Sequence, residues 1–278
     1  MAEFLAIHQS DASLLGCVLR KLSGKVSLGA QEPAAGVGFF QSDDVLLRKR
    51  PLSAVPDPAR LAEGVESEAV LICCGGVATA LSNSARPFNE HTTLPLRFKR
   101  WLFAAAGEPD TLSPIRSALV DGLPAFLRRS VKGDSAVEAL FFTFLSRLRD
   151  AGQLDVHDVA ASVAAKSLAA AVGAAERAFE QQGQTLPTLA LVASNGRVMV
   201  ALRRGHPLFL GLIDGLIPCA RDEIGPAASD LDPKVRSHRM LRAAMVLSGA
   251  QPVPEGFREL AEGEILAVPR GLVDIESL

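Results

Sequence analysis

Residues 188–204, TLALVASNGRVMVALRR, constrain the fold more than any other stretch: two apolar, strand-forming runs hinge on Asn195-Gly196. That dipeptide supplies the positive backbone dihedrals of a two-residue type I′ turn, so this part of the chain is predicted to be an antiparallel hairpin. A second hairpin is predicted over 36–51, GVGFFQSDDVLLRKRP, where Ser42-Asp43-Asp44 separates two apolar runs. Further strands are expected at 3–8, 69–88, 100–107, 207–213, 239–247, 264–268 and 272–275.

Helical spacing appears at 12–22 and through the middle of the chain. Ser135 and Glu138 form the pattern of a capping box for a helix that Gly152 closes. A second helix is expected from Asp155, as N-cap, to Gly183, with Val156, Val159, Val163, Ala170 and Phe179 on its packed face. Residues 219–237, rich in Pro, Asp and Gly, read as a long loop inside a domain, because strand patterns resume after it. Strands, then helices, then hairpin-linked strands imply an α+β protein of packed antiparallel sheets covered by helices. One domain over 1–278 is the expected organisation.

Nearly half of the 278 residues are apolar and the net charge is -2, which disfavours nucleic-acid and membrane-surface partners. Arg48-Lys49-Arg50 and Arg128-Arg129 are read as solvated faces, since acidic residues are interspersed nearby. The start, MAEFLAIHQS, lacks the pattern of a secretion signal, and no apolar run reaches the ~18 residues needed to cross a bilayer. A soluble, cytoplasmic protein is expected. Cys17, Cys73, Cys74 and Cys219 show no CxxC pair and no ligand spacing with the five histidines, so reduced thiols are expected, with no metal and no cofactor.

The order of landmarks carries a resemblance. MAEFLAI is followed by GVGFFQSDDVLLRKRP, LICCGGVAT, SARPF, WLFAAAG, GDSAVEALF, LALVASNGRVMVALR and FRELAEGEILAV. In this order they resemble the class II glutamine amidotransferases, of the N-terminal nucleophile (Ntn) hydrolase fold. The resemblance spans nearly the whole chain and implies a four-layer αββα sandwich of two mainly antiparallel sheets.

It also implies a site whose key positions are substituted. The family's Met-Cys, which supplies nucleophile and base in one residue, is Met1-Ala2 here. Its Ala-His-Val-Arg-x-Ala-Thr strand, whose arginine clamps the α-carboxylate of glutamine, is Cys73-Cys74-Gly75-Gly76-Val77-Ala78-Thr79, with Gly76 at the arginine position. Its Phe-Ala-His-Asn-Gly oxyanion segment is Phe103-Ala104-Ala105-Ala106-Gly107, where Gly107 keeps a backbone donor and Ala106 has none in its side chain. Its Thr-Asp-Ser-Glu, whose aspartate binds the substrate amine, is Ser135-Ala136-Val137-Glu138. The Gly-Trp-Gly and Asn-x-His-Pro-Phe landmarks persist only as Gly36-Val37-Gly38 and Ser84-Ala85-Arg86-Pro87-Phe88.

What the resemblance implies is therefore a catalytically inactive relative with a binding, scaffolding or regulatory role. Its partner would be a protein of unknown identity or a second copy of the chain. The alternative is a divergent amidohydrolase or glutaminase with a relocated nucleophile at Cys73 or Cys74. Adjacent strand residues face opposite sides, so only one of the two thiols can face the family's pocket. Lined by Ala2, Gly76, Ala106 and Ala136, that pocket either takes a small apolar ligand or is closed.

Overall fold

The computed structural model describes residues 3–28, 34–42, 44–51, 57–75, 91–249, 253–272 and 275–277. Its first sheet contains β1 (Glu3–Gln9), β2 (Ala34–Gln41), β3 (Asp44–Pro51), β4 (Ala69–Cys74), β9 (Leu208–Asp214), β10 (Arg242–Ser248) and β11 (Phe257–Glu259). They pair antiparallel in the order β11-β9-β10-β1-β4-β2-β3. The second sheet contains β5 (Leu96–Phe98), β6 (Trp101–Gly107), β7 (Leu189–Ser194), β8 (Val198–Arg204), β12 (Ile265–Pro269) and β13 (Glu276–Ser277). Its order is β13-β12-β8-β7-β6-β5, again antiparallel.

Helices α5 (Ala136–Asp150) and α6 (Ala161–Glu180) pack on each other and cover the second sheet. Helix α1 (Leu15–Leu22) covers the outer face of the first, together with the short α2 (Pro58–Leu61) and α7 (Pro233–Met240). Short α3 (Arg116–Asp121) and α4 (Ala125–Arg128) lie against α5. The result is the expected four-layer αββα sandwich. It has two cores: one runs between the sheets and out to α5 and α6, and the other lies beneath α1. Leu15, Val18, Leu19 and Leu22 of α1 are all buried, each stabilising the outer core by about 1.5–3 kcal/mol.

The predicted hairpins form, with one change of register. In the first, Gln41 pairs with Asp44; Asp43 lies outside the described residues. In the second, Ser194 pairs with Met199, and the Asn195 N–H donates to the Val198 carbonyl (3.2 Å). The two-residue loop is thus Gly196-Arg197, not Asn195-Gly196. Only the glycine has a positive φ, +81°, the pattern of a type II′ turn in place of type I′. Asn195 is drawn into the strand end because its Oδ1 accepts from the Arg197 and Val198 amides, each at 2.9 Å. Its Nδ2 donates to the His157 carbonyl (3.2 Å).

Two helical expectations are also corrected. Helix α6 begins at Ala161 and not after Asp155, whose carboxylate instead meets Lys99 Nζ at 2.5 Å. Leu154 and Val159 are pulled into the core across this non-helical approach, so tertiary burial overrides the N-cap signal. The expected loop 219–237 contains the start of α7. Asp232 caps it, accepting from the Lys234 amide at 2.8 Å, and Pro233 stands at its first position. Strand β10 consequently begins at Arg242, not Arg239. The strand expected at 272–275 falls partly outside the described residues, and β13 lies beyond it.

Candidate functional site

The pleat of β4 separates its two cysteines. Glu3 of β1 lies opposite Cys74, and Gly36 of β2 lies opposite Cys73. Cys73 points with Phe4, Ala6 and Leu71 into the core between the sheets, whereas Cys74 points with Leu5, Ile7 and Ile72 into the core beneath α1. Both are fully buried. Burial pushes the Cys73 thiol well above its ordinary value, with Cys74 adding to the rise and Lys49 opposing it. The Cys74 thiol is pushed up to about 12, by burial and then by the Glu3 charge.

On the facing sheet, Trp101 meets Phe144 edge-on and Phe103 stacks on Phe141 at 5.0 Å, so these rings turn toward α5. Alternation then directs Ala106 to the opposite face, toward the first sheet. His8 Nε2 lies 2.9 Å from Ser194 Oγ, a hydrogen bond that ties the two sheets together. Ser194 is paired with Leu102 near the start of β6, and β1 packs on β6. The opposite end of β1, at Glu3, therefore lies toward the Gly107 end of β6. The end of β4 at Cys74 joins them through its pairing with Glu3.

Three glycines of these strands answer to close approaches. A Cβ at Gly107, whose φ is +97°, would collide with the Thr188 carbonyl oxygen. A Cβ at Gly36 would collide with the Leu94 carbonyl oxygen, and one at Gly38 with the Leu102 side chain, because the Leu94-Pro95 segment and β6 press on the inner face of β2. Ala106 and Ala136 are both buried, the latter at the first position of α5. Ser135 caps that helix, accepting from the Glu138 amide at 3.1 Å. The expected capping box is only half formed, since Glu138 accepts from the Lys132 (3.0 Å) and Gly133 (2.7 Å) amides of the preceding loop.

No family model matches the sequence, and no curated protein does. Among solved structures, the chain is similar to a glutamine aminotransferase class-II domain protein from Silicibacter pomeroyi, with 16% identity over 99% of this chain and 98% of that one and a TM-score of 0.56. It is also similar to a protein described as the allosteric regulatory enzyme of purine biosynthesis, with 14% identity over 99% of this chain but 48% of that one and a TM-score of 0.51. The fold is that of the class II glutamine amidotransferases.

On this amidotransferase fold, β1, β4, β6 and the start of α5 carry the positions singled out in the sequence. Cys73, Cys74, Gly107, Ala106, Ala136 and Glu138 are placed as described above. Ala2, Gly76, Ala78, Thr79, Pro87 and Phe88 lie outside the described residues. A cleft of about 480 Å³ opens beside Glu138, walled by Lys49, Arg97, Lys99, Arg129 and Lys132. Such a wall attracts anionic groups, while the Glu138 carboxylate is committed to two backbone amides.

Two features escaped sequence reasoning. His206 is buried beside Gly107, and its Nε2 has no hydrogen-bond partner among the described residues. Burial lowers its pKa, with the Glu108 charge opposing and Arg203 assisting. No motif marks it, because its neighbour in space is remote in sequence. The second is a group in the outer layer: Cys17, Cys219, Asp222 and His238, whose ligand-type atoms all lie within 4.8 Å of one another. The expectation of no metal rested on spacing along the chain, which is blind to residues that folding brings together from distant segments.

Proposed function

We propose that this chain is a glutamine amidotransferase-like protein that does not hydrolyse glutamine and acts by binding, as a scaffolding or regulatory component. The observation that carries the reading is the state of the amidotransferase site among the described residues: alanine at Ala106 and Ala136, both buried, with the Cys73 thiol in the same core and the Cys74 thiol on the other face of its sheet, both pushed above their ordinary pKa by burial. An amide hydrolase needs a nucleophile that reaches its substrate and a donor aimed at the developing oxyanion; loss of one such donor typically costs ~10² to 10³ in rate. Ala106 offers no side-chain donor, and the residue before β1 is Ala2, which has no nucleophile.

Retention of Gly36, Gly38 and Gly107 is accounted for by packing against Leu94, Leu102 and Thr188, and so does not argue for retained chemistry. Glu138 likewise serves the loop before α5.

The test is ammonia release from glutamine by the purified chain at high protein concentration, beside a Cys73→Ser/Cys74→Ser control. The expected result is no release above that control. Release that the control lacks would overturn the proposal in favour of a divergent amidohydrolase with one of these cysteines as nucleophile.

A further inference from the structure

We infer that Cys17, Cys219, Asp222 and His238 form a closed, four-coordinate site for a zinc-class divalent cation, in the outer layer and away from the amidotransferase site. The four come from two separate pieces of chain. Cys17 lies on α1, Cys219 and Asp222 lie in the excursion between β9 and β10, and His238 lies on α7 within that same excursion. Two thiolates, an imidazole and a carboxylate are a donor set suited to tetrahedral zinc.

The geometry of His238 points independently to a cation. The residue is completely buried, and its Nδ1 lies 2.8 Å from the Lys234 carbonyl oxygen, an acceptor, so Nδ1 carries the proton. That points the ring's other nitrogen, Nε2, toward the cluster. Among the described residues, Nε2 is buried without a hydrogen bond of good geometry, and it lies 3.2 Å from Asp222 Oδ2. A proton or a metal cation between Nε2 and Oδ2 satisfies both atoms, and the sulfurs of Cys17 and Cys219 converging on the same point favour the metal. Nitrogen and oxygen ligands on one tetrahedral zinc, each at ~2.0–2.1 Å, are separated by roughly 3.3 Å, close to the distance found here. Ligating histidines characteristically donate their other ring N–H to a carbonyl, as His238 does to Lys234.

Charge balance fits as well. Two thiolates and a carboxylate exceed a dication by one negative charge. Arg221 supplies a compensating guanidinium, with Nη1 at 3.9 Å from Cys17 Sγ, and it packs so closely over Gly16 that a side chain there would displace it. Lys234 Nζ lies 3.6 Å from Asp222 Oδ2 on the outer side. All four coordination positions are filled by protein, so the metal's role is structural: it ties α1 to the β9–β10 excursion.

The test uses the whole reduced chain, stripped of metal with a chelator and titrated with cobalt(II), then with zinc. The expected result is about one cobalt per chain, with tetrahedral ligand-field absorption and a thiolate-to-metal charge-transfer band that zinc abolishes. Cys17→Ser and Cys219→Ser should lose most of that band, while Cys73→Ser/Cys74→Ser should keep it. Should the cysteine variants fail to fold, Asp222→Asn, at a partly exposed position, is expected to shift the ligand-field bands and weaken binding at least ~10-fold. Failure of the reduced parent to bind cobalt, or an unchanged charge-transfer band in both Cys17→Ser and Cys219→Ser, would overturn the inference.

Discussion

His8 shows how a single buried side chain sets a property of the whole protein. It bridges the sheets through Ser194, and burial lowers its pKa from 6.5 to about 3. The unfolded chain therefore binds a proton below pH 6.5 that the native state refuses until about pH 3. The stabilisation is fully present above 6.5 and is lost as pH falls through that window, by roughly 1.4 kcal/mol per pH unit. His8→Gln, which keeps a polar group for Ser194, should unfold in urea with a flatter pH dependence between these limits. Parallel pH profiles for parent and variant would show that His8 is not the group responsible. The identities of such residues were plain in the sequence, but their environments were not: nothing local distinguishes His8 from an exposed histidine.

Elements were legible where their signals are local. Helix α5 begins and ends where its caps say, at Ser135 and Gly152. Its C-terminus is a Schellman closure, with Gln153 N–H donating to the Leu148 carbonyl (2.8 Å) and Gly152 N–H to that of Arg149 (2.8 Å). Ser135→Ala is expected to lower stability by about 1 kcal/mol through loss of the cap. Gly152→Ala, at a φ of +70° with open space around it, should destabilise through backbone strain alone, by about 1 kcal/mol. Chemical denaturation of each variant measures both costs, and an unchanged midpoint would refute the cap or the strain assignment. Elements were misread where distant contacts decide. Asp155 carries an N-cap signal that its neighbours' burial overrules, and Asn195 spends its side chain on the turn amides and so shifts the loop by one residue. Helix α7 hid in a polar stretch although Asp232-Pro233 announces it. The metal-type cluster was invisible for the same reason, since Cys17 and His238 belong to opposite parts of the chain.

At the scale of the molecule, the first sheet is a shared wall between two cores, and no helix among the described residues is long and apolar enough to cross a membrane. A cation holding α1 to the β9–β10 excursion would reinforce only the outer core, so its removal is expected to loosen that layer before the inner one. The adjacent thiols of β4 make this measurable, because the pleat gives each core one of them. Under native conditions, a thiol-specific reagent is expected to reach Cys73 only when the inner core opens, and Cys74 only when the outer core opens. Chelation should accelerate modification of Cys74 while leaving Cys73 slow, and equal acceleration at both would mean that the layers open together. Two neighbouring residues on one strand are thus a pair of internal clocks, each timing the breathing of a different half of the protein.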